Sequence, residues 1–369
     1  MSGIWPPDIG GPATFNPELV RFLVEQGWEV NVVSRTNNES SKKNLTGAQV
    51  HLISRKTNRY LRTLLSFVTS LKLASKSDLV FDTGLTVEAA LVAKLSRKPL
   101  VIRLVGDLVW ERHRNRSDKP MMLGGSPPGV SLKILRQVLN RAVKSSSLVI
   151  SPSNELLEIA KVWANGIQIC FIPNGVKIPA VYIRNNQELK VLISSRLVPW
   201  KNVDKVMDAL NQISPSQWEL VVVGSGPEQE RLEFLASKLQ YKVSFLGELS
   251  KFELEQLMLR SDIFIQYSEY EGMSFSILEA MASGLVVIAG DCKGNRVLIK
   301  DNKNGFLADL SSPQHLVEIL TSLQSKNSSM ISLSTAAREA VKNNYDLKTT
   351  LDFYASKLIE FIPANEKLH

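Results

Sequence analysis

The sequence predicts an α/β protein built as two domains, and three observations carry this. Short apolar runs of strand length recur at residues 30–33, 50–53, 79–81, 100–105 and 148–151. Stretches with apolar residues at helical spacing separate them, and the alternation starts afresh at residues 191–195 after the polar stretch 184–188. A chain of 369 residues is long enough for two cores. The boundary is expected near residues 177–189, giving a first domain of residues 1–177 and a second of 178–349.

Residues 4–12, Ile-Trp-Pro-Pro-Asp-Ile-Gly-Gly-Pro, form a stiff turn in which Gly10 and Gly11 let the backbone approach a ligand. The helix after it places Phe15, Leu19, Phe22 and Leu23 on one face. A basic patch, Arg55, Lys56, Arg59 and Arg62, precedes an amphipathic helix carrying Leu61, Leu64, Leu65, Val68 and Leu71. A core-facing stripe with a solvated basic flank is the expected arrangement, and an anionic membrane surface is the alternative. Gly106-Asp107 ends the strand at 100–105 as a turn. Residues 112–130, polar, basic and rich in Gly and Pro, read as a mobile loop. A helix to about Lys144, a strand at 148–151, a helix opened by Ser153 and a strand ending at Ile172 follow, and Pro173-Asn174-Gly175 forms a turn.

In the second domain Arg196 and Lys201 bracket Leu-Val-Pro-Trp. Pro199 stiffens this turn, and the next helix carries Val203, Val206, Leu210 and Ile213, so Lys201 lies near a helix N-terminus. Cations there oppose the helix dipole unless an anion joins them, which points to a phosphate; a solvated pair of loop cations is the alternative. Residues 220–223 and 243–246 are strands leading into the glycine turns at Gly224, Gly226 and Gly247.

The stretch 268–284, Ser-Glu-Tyr-Glu-Gly-Met-Ser-Phe-Ser-Ile-Leu-Glu-Ala-Met-Ala-Ser-Gly, lies between the apolar runs 263–265 and 285–288 and reads as the crossover of a βαβ unit. Gly272 keeps Glu271 on the entry loop, whereas Phe275, Leu278 and Ala282 at helical spacing put Glu279 on the helix. Backbone N–H groups around Ser274–Ser276 would face a phosphate, while the two carboxylates accept hydrogen bonds from neutral hydroxyls. The implied ligand carries phosphates flanked by sugars. Ser276-Ile277-Leu278-Glu279 also fits a capping box, in which Glu279 only serves its own helix.

No apolar run approaches the roughly 20 residues of a membrane-spanning helix, and no secretory leader pattern opens the sequence, so a cytoplasmic location is expected. Two cysteines make no disulfide framework, and four scattered histidines lack metal-ligand spacing, so no metal site is expected. The formal charge of +8 suits an anionic partner. Nucleic acid is disfavoured, because no module signature accompanies the spread of basic residues.

Glu271 and Glu279, with seven residues between them and followed by Ala-Met-Ala-Ser-Gly, resemble the Glu-x7-Glu signature of retaining glycosyltransferases of the GT-B fold, family 4 of the nucleotide-sugar transferases. The resemblance extends to Gly10-Gly11, Pro173-Asn174-Gly175, Gly294-Asn295-Arg296 and Asn304-Gly305-Phe306-Leu307. It implies two Rossmann-like, doubly wound domains facing a central cleft, with residues 350–369 crossing back onto the first domain. It also implies a hexosyltransferase that needs no metal or cofactor and moves a sugar from a nucleotide-diphosphate sugar to a hydroxyl acceptor: a glycan, a lipid-linked sugar or a small molecule. Cell-envelope or polysaccharide biosynthesis is the implied setting, with peripheral contact to an anionic membrane.

The resemblance assigns roles residue by residue. Arg196 and Lys201 neutralise the diphosphate, Glu271 orients the donor sugar and Glu279 grips the ribose. Gly272, Met273, Ser274, Phe275 and Ser276 line the donor, and Gly10 and Gly11 lie near the diphosphate and acceptor. Many members carry a histidine where Asp107 stands, which makes Asp107 the implied sugar contact; a plain Gly-Asp turn is the alternative.

Rival readings fit less well. Retaining glycosidases hold their carboxyl groups about 5–5.5 Å apart, whereas eight helical steps span roughly 12 Å. A dinucleotide-binding oxidoreductase wants Gly-x-Gly-x-x-Gly, and Gly224-Ser225-Gly226-Pro227 stops short of it. A non-catalytic nucleotide-sugar-binding protein stays open. Only Met1 to Ile4 precede Trp5 where the family has a buried strand, so the expectation is that the natural protein begins several residues upstream.

Overall fold

Parallel strands, near-continuously apolar, form the centre of both halves of the chain, as sheets covered on both faces require. The computed structural model describes residues 1–8, 10–37, 47–117, 121–180, 189–213, 218–324 and 328–363. The polar stretch 184–188, expected at the domain boundary, lies outside the described residues. The chain divides into two compact units, one of residues 1–173 with 348–369, the other of residues 174–347.

In the first unit the strands are β1 (Asn31–Thr36), β2 (Gln49–Ser54), β3 (Val80–Asp82), β4 (Leu100–Arg103), β5 (Leu148–Ser151) and β6 (Gln168–Phe171). Pairing is parallel throughout, β1 with β2 and β3-β4-β5-β6 in sequence. Residues 1–3 lie between β1 and β3. Ser2 forms parallel bridges to Ser34 and Thr83, its N–H donates to the Val33 carbonyl at 2.9 Å, and the Thr83 N–H donates to the Met1 carbonyl at 2.9 Å. Below them a cavity of about 620 Å³ is lined by Met1, Trp5, Leu19, Val32, Phe81 and Leu358, among others.

The helices of this unit are α1 (Gly11–Glu25), α2 (Arg59–Ala74), α3 (Thr86–Ser96), α4 (Leu108–Arg114), α5 (Val130–Lys144) and α6 (Asn154–Trp163). Asn16 anchors α1 under the Gly10-Gly11 turn by donating to Ser2 Oγ at 2.9 Å and Thr83 Oγ1 at 2.6 Å, all buried.

The structure reverses the expectation for α2. Its buried residues are Ser66, Ser70 and Ala74, while Tyr60, Leu61, Leu64, Leu65 and Val68 are 44–74% exposed. The small side chains let the helix sit close to its neighbours, and the large apolar ones point outward.

Residues 112–130 are also more ordered than their composition suggests. α4 occupies the start, Trp110 Nε1 donates to the Met121 carbonyl at 2.9 Å, and the Gly124 N–H donates to Asp107 at 2.9 Å. Residues 118–120 lie outside the described residues.

The second unit holds β7 (Leu189–Ser194), α7 (Val203–Asn211), β8 (Trp218–Val223), α8 (Gln229–Ala236), β9 (Lys242–Phe245), α9 (Lys251–Leu259), β10 (Ile263–Gln266), α10 (Phe275–Ala282), β11 (Val286–Gly290), α11 (Lys293–Leu298), β12 (Phe306–Ala308), α12 (Pro313–Ser322) and α13 (Ser328–Asn344). Strand order is β12-β11-β10-β7-β8-β9, all parallel. Successive side chains of β7 feed opposite faces: Val191 and Ile193 pack toward α7 and α12, Leu192 toward α10 and α13.

The order reverses at β7 and β10, so the crevice beyond their carboxyl ends is the topological switch point where open α/β sheets place ligands. The last helix, α14 (Leu347–Ile359), contributes Tyr354 to the first unit, where Arg103 Nε donates to its hydroxyl at 2.9 Å. Among the described residues no helix is long and apolar enough to cross a membrane.

Candidate active site

The candidate site of the second unit is built from the two segments that leave β7 and β10. After β7 the chain makes a 3-10 turn at Pro199–Lys201, and Asn202, with φ 50°, opens α7. The glycine turn beyond β8 backs this loop. The Leu197 N–H donates to the Ser225 carbonyl at 2.9 Å, and a Cβ on Gly226 would lie 2.1 Å from the Leu197 carbonyl oxygen, so only glycine fits there.

After β10 comes the loop bearing Glu271, then α10. Two hydrogen bonds join the segments: the Glu269 N–H donates to the Trp200 carbonyl, and Asn202 Nδ2 donates to the Tyr267 carbonyl, each at 3.0 Å. Lys201 Nζ therefore reaches Glu271 and forms an ion pair with its Oε1, both side chains largely buried.

Gln266, the last residue of β10, is 4% exposed and donates from Nε2 to the same Glu271 oxygen. Its own oxygen accepts from Ser274 Oγ at 2.9 Å. Asn174, from the Pro-Asn-Gly turn, holds the loop from beneath by donating to the Met273 carbonyl at 2.8 Å. A Cβ on Gly294 would lie 1.9 Å from the Glu271 carbonyl oxygen, so the glycine that opens Gly294-Asn295-Arg296 lets α11 pack on this loop.

Ser274 is the N-cap of α10, accepting from the Ile277 N–H at 3.3 Å. The cap thus falls two residues before Ser276, and Glu279 lies beyond the N3 position a capping box requires. Glu279 keeps part of its surface exposed, and partial burial pushes its carboxyl up to about 7, with Lys251 on α9 pulling it down and Glu255 pushing it up. Arg196 is exposed and has no ion pair among the described residues. Gly272, Phe275 and Ser276 lie at the mouth of the helix, partly exposed, whereas the Met273 side chain turns into the core.

Three implied residues lie in the first unit. Gly10 and Gly11 start α1, with Gly10 at φ 146°. Asp107 is 1% exposed and its carboxylate is committed to the fold. One oxygen accepts from Val109 and Trp110 N–H groups as the N-cap of α4, and the other accepts from the Gly124 N–H and from Arg136 at 2.6 Å. The sugar contact implied at Asp107 is thereby corrected to a cap and buried ion pair, because no oxygen is left to offer a ligand.

Sequence reasoning passed over Gln266 and Asn202, and read Asn174 only as part of a turn. The only signal for Gln266 was a polar residue closing the apolar run 263–265.

The fold and relatives agree on a class. The crystal structure of Anabaena HepE in complex with UDP-glucose aligns over 97% of this chain and 98% of that one, with a TM-score of 0.78 at 22% identity, which makes the fold that of the GT-B enzymes. The UDP-Gal:alpha-D-GlcNAc-diphosphoundecaprenol alpha-1,3-galactosyltransferase of Escherichia coli is 25% identical over 332 residues, 82% of this chain and 80% of that protein. An uncharacterized glycosyltransferase of Methanocaldococcus jannaschii is 28% identical over 173 residues, and there the match spans less than half of either chain: 45% of this one and 44% of that protein. The protein is a glycosyltransferase. Residues 177–340, nearly the whole second unit, match the family model of the glycosyl transferases group 1.

Proposed function

We propose that this glycosyltransferase belongs to family 4, works with retention at the sugar carbon and takes a nucleotide-diphosphate sugar as donor. The observation that carries the reading is the meeting of Lys201 and Glu271 at the β7–β10 switch point, a cation and a carboxylate beside the N-terminus of α10. A diphosphate suits the cations Lys201 and Arg196 and the positive end of α10, while Glu271 accepts from sugar hydroxyls and Glu279 from the ribose. The crystallised relative holds UDP-glucose, which supports a donor of this class.

In the reaction the bond from the anomeric carbon to the diphosphate oxygen breaks and its electron pair stays with the diphosphate. The acceptor oxygen bonds to that carbon from the same face and gives up its proton to the departing phosphate oxygen. Lys201, Arg196 and helix N–H groups meet the developing charge as preorganised electrostatic partners, with no metal or cofactor required of the chain. Gly10 and Gly11 would border the acceptor. The galactosyltransferase relative works on a lipid-linked sugar, and an acceptor of that kind, in cell-envelope or polysaccharide synthesis, is the one we favour.

The outward face of α2 supports a peripheral encounter with an anionic membrane. Leu61, Leu64, Leu65 and Val68 are exposed beside Lys56, Arg59 and Lys72, the apolar and cationic pairing that an interfacial helix uses. Leu91 and Leu95 on the neighbouring α3 are exposed as well.

A thermal-shift panel of UDP-, GDP- and ADP-sugars tests the donor class, since a ligand of the native state raises the melting temperature. A rise with at least one donor, followed by transfer to a lipid-linked or free sugar acceptor, is the expected result. No shift with any nucleotide sugar would overturn the reading.

A further inference from the structure

Glu271 has two carboxylate oxygens in unequal surroundings. Lys201 Nζ and Gln266 Nε2 both bond to Oε1, and Oε2 has no hydrogen-bond partner among the described residues. The Gln266 amide cannot turn over without loss, because its oxygen is fixed by Ser274 Oγ, whose own lone pair caps α10. A chain of fixed hydrogen bonds therefore runs from the first turn of α10 through Ser274 and Gln266 to Glu271.

We infer that Gln266 is a positioning residue for sugar transfer: it holds Glu271 by one oxygen and presents the other to the donor sugar. This rests on the role proposed above for Glu271.

The need for Gln266 follows from the competing demands on Lys201. A diphosphate draws the ammonium toward itself, and as that contact strengthens, the lysine's hold on Glu271 weakens. Gln266 is neutral and buried, so a phosphate does not compete for it. It is the donor that stays on Oε1 while charge builds on the leaving group, and its contribution should appear in the chemical step rather than in donor binding.

Three variants test this: Gln266→Leu, Gln266→Glu and Glu271→Gln, with a Gln266→Leu/Glu271→Gln double variant, all checked by thermal melting. Gln266→Leu is expected to lower kcat on the order of tenfold with donor KM changed less than about twofold, the scale seen when a supporting partner is lost. The double variant should be no slower than Glu271→Gln alone, because Gln266 acts through that carboxylate.

Gln266→Glu supplies the distinguishing signature. Protonated, its carboxyl can still donate to Glu271 and accept from Ser274; ionised, it repels Glu271. Its rate relative to the parent should therefore be highest at acidic pH and fall as pH rises, a trend a packing defect would not give.

Gln266→Leu with kcat within twofold of the parent overturns the inference while leaving Glu271 in place. So does a pH-independent ratio for Gln266→Glu. If Glu271→Gln itself keeps full kcat, the role of Glu271 fails and the inference falls with it, a result distinct from the first two.

Discussion

Lys201 and Glu271, 70 residues apart in sequence, form an ion pair where the loops after β7 and β10 meet. Asn202 and the Trp200 carbonyl fasten one loop to the other, so the pair is set by the fold rather than by two long side chains finding each other. In the proposed reaction Lys201 shares its charge between this carboxylate and the diphosphate, while exposed Arg196 serves the diphosphate alone.

Arg196→Ala and Lys201→Ala should each remove about 2–4 kcal/mol of transition-state stabilisation, the scale of one lost oxyanion donor. They should differ in stability. Arg196 is exposed without an ion pair among the described residues, so its removal should leave the melting temperature unchanged. Lys201→Ala leaves a largely buried carboxylate with Gln266 alone and should melt lower. Steady-state kinetics and thermal melts on both variants check this, and near-normal turnover in both would remove the diphosphate assignment.

Glu279 makes stability and donor binding depend on pH in opposite senses. Burial raises its carboxyl from 4.5 to about 7, so the folded protein keeps a proton that the unfolded chain releases. Stability should then fall as pH rises through that window and level off above it, by on the order of 3 kcal/mol for this group. Only the ionised form accepts two ribose hydroxyls, so donor affinity should weaken as pH drops below about 7. Glu279→Gln is expected to melt higher than the parent at pH 8 and to bind donor weakly with no pH dependence. Calorimetric titrations at pH 6 and 8 read the second effect.

Asp107 and Arg136 form an ion pair buried in the first unit, at 2.6 Å. Arg136→Met leaves Asp107 in a 1%-exposed site with backbone donors only, and such a loss costs about 3–5 kcal/mol. Denaturant melts should show this, with the melt of the Asp107→Asn variant shifted in the same direction. Donor affinity measured below the melting range should stay at the parent value, because Asp107 contacts α4, the Gly124 loop and Arg136 rather than a ligand.

The α2 face gives a prediction with no cost to folding. Leu61→Asp and Leu64→Asp replace exposed side chains, so melting should change little, whereas co-sedimentation with vesicles containing anionic lipid should fall steeply. Neutral vesicles should bind the parent protein weakly. Equal binding of parent and variants to anionic vesicles would mean that α2 does not make the contact.

Much of this arrangement could be read from the residues. Gly272 and the spacing of Phe275, Leu278 and Ala282 place Glu271 on a loop and Glu279 on a helix, because both signals are local. The strand at 148–151 and the Ser153 cap likewise follow from neighbouring residues.

What escaped depends on distant partners. Periodicity identifies α2 as amphipathic, yet the face that packs is the one with Ser66, Ser70 and Ala74, chosen by how closely a helix can approach rather than by hydropathy. Asp107 looked free because Arg136 stands 29 residues away. Gln266 and Asn202 have no motif of their own and acquire meaning only when β7 and β10 lie side by side.

Proton NMR of the anomeric signal during turnover tests the central claim most directly. Purified protein is given an α-linked nucleotide sugar and a hydroxyl acceptor in the presence of EDTA. Retention driven by the protein's own cations predicts an α-anomeric product signal that grows at the same rate with and without the chelator. A β-anomeric product, or turnover that stops until a divalent cation is restored, would contradict it.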